Sequence, residues 1–285
     1  MSVRYCGRPF SQHEIDRIRQ LIAEDPSRSR AELSRITCRE LNWLKVDGGL
    51  KEMSARVAML RMQDDGLIEL PPPRNKRPNA RIHLSQRTDP GEAIKQPAHR
   101  LAPLQWQSVQ TKPASRLWNE YIHRYHYLGY KALPGAQLRY FIYAGDQPIA
   151  LLGFGAAAWQ TAPRDHHIGW SHEQRQRNLH LIVNNARFLI LPWVQSKNLA
   201  SMILAQAAKK LPGHWRECYG YRPLLLETFV EKPRFRGSCY KAANWTYLGQ
   251  TKGRGKLGPA GKQSVPIKDL WVYPLHRHFK DLLTR

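Results

Sequence analysis

Apolar positions change their period along the chain, and the change divides it. As far as Gly66 they recur every three or four residues, the spacing of helices that bury one face. Ser11 and Glu14 form an S-x-x-E capping box ahead of Ile15, Ile18, Leu21 and Ile22, and Asp25-Pro26 ends that helix. Ser29 and Glu32 repeat the signal before Leu33 and Ile36, in a second helix that continues or restarts toward Leu41. After the Gly48-Gly49 break, Met53, Val57 and Leu60 keep helical spacing until Gly66 supplies a C-cap, and "LIEL" then reads as a short strand.

Helix, helix, turn, helix and strand is the order of a winged helix-turn-helix, whose third helix enters the major groove. Lys51, Ser54, Arg56 and Arg61 lie off the apolar face of that third helix, and the basic arm "RNKRPNAR", with Arg74, Lys76 and Arg77, follows directly. Such arms track phosphates or reach into the minor groove, so DNA binding is the favoured use of these residues; a solvated face of a small helical bundle is the alternative.

Residues 71 to 104 are rich in proline and cations and poor in periodic apolar residues, the composition of a linker. The predicted organisation is a winged-helix domain over 1–73, a basic linker over 74–104 and an α/β domain over 105–285. In the last, "SRLWNEYIHRYHYLGY" has helical spacing and "LRYFIYAGDQPIALLGFGAAAW" is a hairpin turning at Ala144-Gly145-Asp146-Gln147. "SHEQRQRNLHLIVNNA" is helical or irregular behind an S-x-x-Q cap at Ser171. "RFLILPWV" reads as a buried strand, "NLASMILAQAAKKL" as a helix and "RPLLLETFV" as another buried strand; "CYKAANW" adds a short helix, "TYLGQT" a strand and "LWVYPL" a further one. The fold class is therefore α+β, with a mixed sheet in the larger domain.

Charge narrows the partners. Lys and Arg outnumber Asp and Glu by 45 to 22, a formal charge of +23, and a polyanion, nucleic acid first, is the partner that such an excess favours. Residues 1 to 102 hold 19 basic and 13 acidic side chains, residues 103 to 285 hold 26 and 9, so the second part is the more polyanion-seeking. The four cysteines, Cys6, Cys38, Cys218 and Cys239, form no CxxC pair, which speaks against a disulfide framework or a zinc ribbon. No signal peptide opens the chain and no apolar run nears the roughly 20 residues of a bilayer span, so no membrane partner is expected and the chain is placed in the cytoplasm.

A hairpin, then a strand followed at once by a helix, then a strand, a short helix and a strand ending in "YLG", is similar to the core of the acyl-CoA N-acyltransferase superfamily. That resemblance implies a turn Q/R-x-x-G-x-G/A opening the central helix, whose N–H groups cradle the coenzyme pyrophosphate. The corresponding stretch, Gln195-Ser196-Lys197-Asn198-Leu199-Ala200, has Asn198 where the first glycine belongs and contains no glycine, so the fold is expected and the coenzyme is not. No cofactor is expected: acetyl-CoA is disfavoured by that turn, and Mg²⁺ would enter only with a nuclease activity. Over nearly its whole length the chain resembles the DruA-like family, most specifically in "NNARFLILPWV" and "RFRGSCYKAANW". The family is named for a component of the Druantia anti-phage system, and similar domains form the front part of some transposase chains. The resemblance implies a DNA-directed role in phage defence or mobile-element biology, with DNA and other defence-system or transposition proteins as partners.

The stretch "LLLETFVEKPRFRGSCYKAANWTYLGQTKGRGK" carries the candidate chemistry. Glu227 ends an apolar strand, where a carboxylate is desolvated and poised for proton work, and Tyr240 follows "FRG"; with Arg236 and Asn244 they form the candidate catalytic set. The alternative is that Glu227 pairs with Arg234, Arg236 or Arg187 and that Tyr240 and Trp245 are core aromatics. A tyrosine attacking DNA would need a cation at the phosphate, Arg236 or Lys241, and a base such as His126. Lys252, Arg254 and Lys256, spaced by glycine, suit phosphate contact or form a solvated loop. Asn184 and Asn185 read base edges, polarise a carbonyl, or cap a helix or turn. Asp165-His166-His167, with His172 nearby, lacks the spacing of a zinc enzyme and sits in a turn-like segment, so no metal site is expected. Tyr127 and Tyr130, beside Gly129, are the candidates to stack unpaired bases, the alternative being that the aromatic cluster Tyr121, Tyr125, His126, Tyr127 and Tyr130 is a packed face. The favoured function is DNA binding in an anti-phage or transposase-related system through both domains; the alternatives are a DNA-cleaving or strand-transferring enzyme using Glu227 and Tyr240, and an acyl-CoA-dependent N-acyltransferase.

Overall fold

The computed structural model describes residues 2–45, 48–73, 82–232, 234–253, 263 and 265–285. The chain divides into two units, Met1–Arg81 and Ile82–Arg285.

In the first unit β1 (Val3–Tyr5) and β2 (Arg8–Phe10) form an antiparallel hairpin, turned through Cys6 and Gly7 at positive φ. The sequence pattern carries no sign of it. Helix α1 (Gln12–Glu24) begins at Ser11 with both halves of the capping box made and buries Ile15, Ile18 and Leu21. Helix α2 (Arg30–Glu40) begins at Ser29, whose hydroxyl accepts from the Glu32 amide. Helix α3 (Glu52–Asp64) departs from the expected register: its buried face is Ala55, Ala58, Met59 and Met62, and Met53 is 65% exposed. The small Ala55 and Ala58 allow close approach to α2, where the Thr37 hydroxyl lies 3.7 Å from the Met59 sulfur. "LIEL" forms no strand. Ile68 and Leu70 are buried, but the Leu67 amide donates to the Met62 carbonyl and the Leu70 amide to Gln63 Oε1, so this backbone is satisfied by the end of α3.

The second unit contains, in order, α4 (Ala98–Leu101), β3 (Gln105–Ser108), α5 (Lys112–Tyr125), β4 (Leu138–Ala144), β5 (Gln147–Ala156), α6 (Ala162–Ile168), α7 (His172–Asn178), β6 (Ile182–Ile190), α8 (Leu199–Tyr219), β7 (Leu225–Glu231), α9 (Ser238–Ala242), β8 (Thr246–Gln250), β9 (Lys268–Pro274) and α10 (Phe279–Leu283). The Asp165-His166-His167 segment is thus helical, in α6, rather than a turn. The strands make one seven-stranded mixed sheet in the order β3-β4-β5-β6-β7-β9-β8. Neighbours are antiparallel except β6 and β7, which run parallel and join through Ile182–Leu225, Val183–Leu226 and Asn184–Glu227. Beyond that point β6 stays with β5 and β7 stays with β9, and the two strands part.

One core cluster joins Trp118, Tyr121 and Ile122 of α5 and Ile203, Leu204 and Trp215 of α8 to strands β4 to β7. A second gathers Ile168 of α6 and Phe279 and Leu283 of α10 against Leu225 and Val272. Part of the stretch expected as linker packs onto this unit: the Ile94 amide donates to the Trp193 carbonyl at 2.9 Å, and the Thr88 hydroxyl to Glu120 at 2.7 Å. No helix among the described residues is long and apolar enough to cross a membrane.

Candidate functional site

Where β6 and β7 part, a cavity of about 570 Å³ opens, walled by 184–190 of β6, 228–230 of β7, 235–240 at the start of α9 and 126–128 after α5. The register of β5 against β6 shifts between Gly153 and Phe154, leaving Ala186 as a bulge beside the opening, and such bulges re-aim the side chains around them. Gly153 has no room for a side chain: a Cβ there would lie 3.1 Å from both the Arg187 Cβ and the Trp118 ring.

The charge of the cavity is one-sided. Arg187, only 9% exposed, lines it with Arg236, Lys268 and His126. Among the described residues none of the three cations makes an ion pair; the nearby acids are engaged by others, Glu231 with Arg234 and Asp269 with Lys232, each at 3.5 Å. Arg187 Nη1 donates to the Ala186 carbonyl at 2.7 Å, while its buried Nε has no partner. Burial holds Arg187 below its ordinary pKa. Burial also lowers Lys268, with Glu231 opposing and Arg187 reinforcing the shift. His126 is pulled down to about 4, first by burial and then by Arg187 and Lys268, so its ring is neutral at pH 7.

Inside, the Tyr240 hydroxyl donates to Asn185 Oδ1 at 2.9 Å and Asn185 Nδ2 donates to the Arg187 carbonyl at 3.2 Å. Burial pushes the Tyr240 phenol well above its ordinary value. At the mouth the Tyr127 ring stacks on His126 at 4.8 Å and meets the Phe235 ring edge-on at 5.1 Å, with Arg234 5.1 Å above Tyr127. Phe235 is 45% exposed.

The structure brings Tyr240, Arg236 and His126 to this cavity, but not Glu227 or Asn244. Alternation along β7 puts Thr228 on the cavity side and Glu227 on the face of Leu225, under α6. There Glu227, fully buried, pairs with fully buried Arg164 at 2.8 Å and accepts from the Ala158 amide at 2.8 Å. Its partner is therefore Arg164, not Arg187, Arg234 or Arg236. Burial pushes its carboxyl up, against the pull of the Arg164 guanidinium. Asn244 is exposed, in a left-handed conformation (φ 61°) at the end of α9, and Lys241 is exposed too. Asn185 lies within β6 and holds Tyr240 rather than capping a helix. Asp165 receives bonds from Arg164, Arg175 and Trp170, and His167 stacks on Phe279. No group of three or more metal-ligating side chains occurs among the described residues. Tyr130 packs against the main core.

Of the expected DNA contacts, Arg61 and Lys252 are exposed and Lys51, Ser54 and Arg56 are half-buried, with Arg56 Nε buried and unpartnered. Arg74, Lys76, Arg77, Arg254 and Lys256 lie outside the described residues. Arg187 and Lys268 were not singled out as site residues from sequence. Polar residues at 184, 185 and 187 inside an otherwise apolar strand were a usable signal for Arg187; Lys268 had none.

The turn before α8 bears on coenzyme binding. Asn198 has φ 66°, the left-handed conformation that a glycine would supply there. The Gln195 amide, however, donates to the Ile94 carbonyl at 2.8 Å, and the Lys197 carbonyl accepts from Ala98 at 3.3 Å. Residues 94–98 thus lie along the turn and engage the Gln195 amide and the Lys197 carbonyl.

Residues 62–262 match the model of a family described as Druantia protein DruA. No curated protein matches the chain. Among solved structures it is similar to an acetyltransferase from Bacillus subtilis in complex with CoA, at 10% identity over 61% of this chain and 99% of that chain, with a TM-score of 0.36. A single-site variant of a spermidine N-acetyltransferase from Vibrio cholerae is 11% identical over 62% of this chain and 95% of that chain, with a TM-score of 0.39. An N-acetyltransferase from Staphylococcus aureus Mu50 is 11% identical over 61% and 99%, with a TM-score of 0.35.

Proposed function

The chain belongs to the family of the Druantia protein DruA, and from that membership we propose a DNA-directed role in anti-phage defence, exercised by recognition rather than by chemistry on DNA. One observation carries the reading. Of the nine acidic residues after position 102, five are turned inward onto protein partners: Glu120 on Thr88, Asp165 and Glu227 on Arg164, Glu231 on Arg234 and Asp269 on Lys232. The second unit therefore presents positive charge with few carboxylates to offset it, which is the electrostatic footprint of a phosphate-binding surface. In the first unit the three helices follow the order of a helix-turn-helix, and we assign α3, with Lys51, Ser54, Arg56 and Arg61, to groove contact, as in winged-helix proteins. Lys252, Arg254 and Lys256 add backbone contacts from the second unit.

Duplex affinity measured across a salt series tests this. Affinity is expected to fall steeply with salt, and Ala at the three positions 252, 254 and 256 to flatten the slope by up to about three units. Binding that is absent, or indifferent to salt, would overturn it.

The second reading, acyl-CoA-dependent acyl transfer, is favoured by the cavity at the parting of β6 and β7 and opposed by the turn at Gln195–Ala200, which contains no glycine and whose Gln195 amide is taken by Ile94. Stabilisation of the purified protein by acetyl-CoA would reinstate it.

A further inference from the structure

Most of the molecule's unusual groups find an internal use. The buried Arg164–Glu227 pair continues through Asp165 to Arg175, a closed network beneath α6 and α7. The smaller hollow bounded by Lys232, Lys241, Tyr247, Asp269 and Trp271 holds its own ion pair between Lys232 and Asp269. The cavity at the parting strands is different, because among the described residues none of its three cations makes an ion pair.

We propose that this cavity takes one nucleotide of an unpaired DNA strand, an extruded base or a strand end, with its phosphate held by Arg187, Arg236 and Lys268 and its base laid on the exposed Phe235 ring at the mouth. The inference deepens the DNA-directed reading and rests on it. A guanidinium that is nine-tenths buried, with Nε unpartnered and no carboxylate in reach among the described residues, is a costly group unless an anion completes it. Lys268 lines the same cavity, and each of the two disfavours the charge on His126. A bound phosphate removes that repulsion and supplies acceptors to Arg187 and Lys268.

The rest of the lining selects what the phosphate is attached to. The exposed Phe235 presents ring surface at the opening, and Tyr127, between His126 and Arg234, braces it edge-on. Cations along a groove with aromatic rings beside them are the arrangement by which proteins hold unpaired bases, since every base offers a face to stack. A volume of about 570 Å³ lies within the range of small-ligand sites, about 300–1,000 Å³, and accepts a nucleotide but not a duplex. A base must leave its helix to enter, which favours ends, mismatches and single strands over intact duplex.

The test is fluorescence anisotropy of the full chain with a labelled single-stranded oligonucleotide and with the same sequence as a blunt duplex. Wild type is compared with Phe235→Ala, Lys268→Ala and Arg187→Gln, each checked for folding by its thermal melt. Phe235→Ala, at an exposed ring, and Lys268→Ala are each expected to weaken single-strand binding about tenfold and to leave duplex binding within about twofold. Arg187→Gln is read for affinity only if its melt matches wild type. Unchanged single-strand affinity in both Phe235→Ala and Lys268→Ala, with duplex binding intact, would overturn the nucleotide site and spare the DNA-directed reading. Failure of wild type to bind either DNA would remove both, and competition of the single strand by acetyl-CoA but not by a deoxynucleoside monophosphate would assign the cavity to the coenzyme instead.

Discussion

Replacing Glu227 by Gln separates the two roles open to this carboxylate. The change keeps size and removes charge. In the wild-type core Glu227 Oε2 lies 2.8 Å from Arg164 Nη1 with both side chains fully buried, and Oε1 accepts from the Ala158 amide. A Gln keeps the second bond but turns an amide N–H toward a guanidinium N–H. Breaking a buried pair from one side costs about 3–5 kcal/mol, because the remaining charge is stranded. Here Arg164 keeps Asp165, at 3.0 Å from Nε and 2.8 Å from Nη2, and the Ala158 carbonyl at 2.8 Å, so the low end, about 3 kcal/mol, applies. For a unit of this size that is a fall in Tm of about 6–12 °C. The double variant Arg164→Gln, Glu227→Gln restores a neutral donor–acceptor pair and is expected to lose at least about 1 kcal/mol less than the two single changes together. Thermal melts of wild type, both singles and the double give the cycle, and anisotropy at 20 °C reports DNA affinity, which is expected to match wild type because Glu227 faces away from the cavity. A Glu227→Gln protein that melts with wild type while losing DNA binding or strand cleavage would refute the assignment of this carboxylate to the core.

Two further outcomes follow from the cavity walls. Gly237 begins α9 at φ 69°, and a Cβ there would meet the Trp271 ring at 2.8 Å, so Gly237→Ala is expected to cost about 2–3 kcal/mol in a denaturant melt through left-handed strain and a displaced indole. His126 stays neutral in the folded protein down to about pH 4, whereas the unfolded chain takes up its proton near the ordinary value of 6.5. The unfolded state therefore binds more protons between these values, and stability is lost as pH falls from about 6.5 to about 4. The unscreened loss is about 3 kcal/mol and solvent contact with the ring reduces it to about 1–2 kcal/mol, measurable as a lower urea midpoint at pH 5 that His126→Asn diminishes.

Local patterns carried much of this architecture. The β4–β5 hairpin is legible because long apolar runs flank Ala144-Gly145-Asp146-Gln147, and α1 because its capping box precedes a clean stripe. The hairpin β1–β2 is not, since "VRY" and "RPF" are too short and too polar to alternate. In α3 two competing stripes were available, and the choice of Ala55 and Ala58 over Met53 depends on how closely α2 approaches, which is a tertiary fact. The insertion of β9 between β7 and β8 is likewise non-local. At the site, Tyr240 and Arg236 stood out by their place after a buried strand, but the face on which Glu227 lies depends on strand parity. Arg187 and Lys268 meet only because two strands distant in sequence flank the same opening.

The parting of β6 from β7 also bears on how the unit is assembled. The sheet consists of an antiparallel block from β3 to β6 and another of β7, β9 and β8, tied by a seam at the base of the cleft. Each block has its own ladder of strand pairs, while the seam depends on α8 spanning from the end of one block to the start of the other. The seam is the shortest ladder in the sheet, so amide exchange is expected to be fastest among the strand bonds along that line. The core shared across the seam ties the two blocks into one unit, so a substitution on either side of the cleft is expected to be felt on the other.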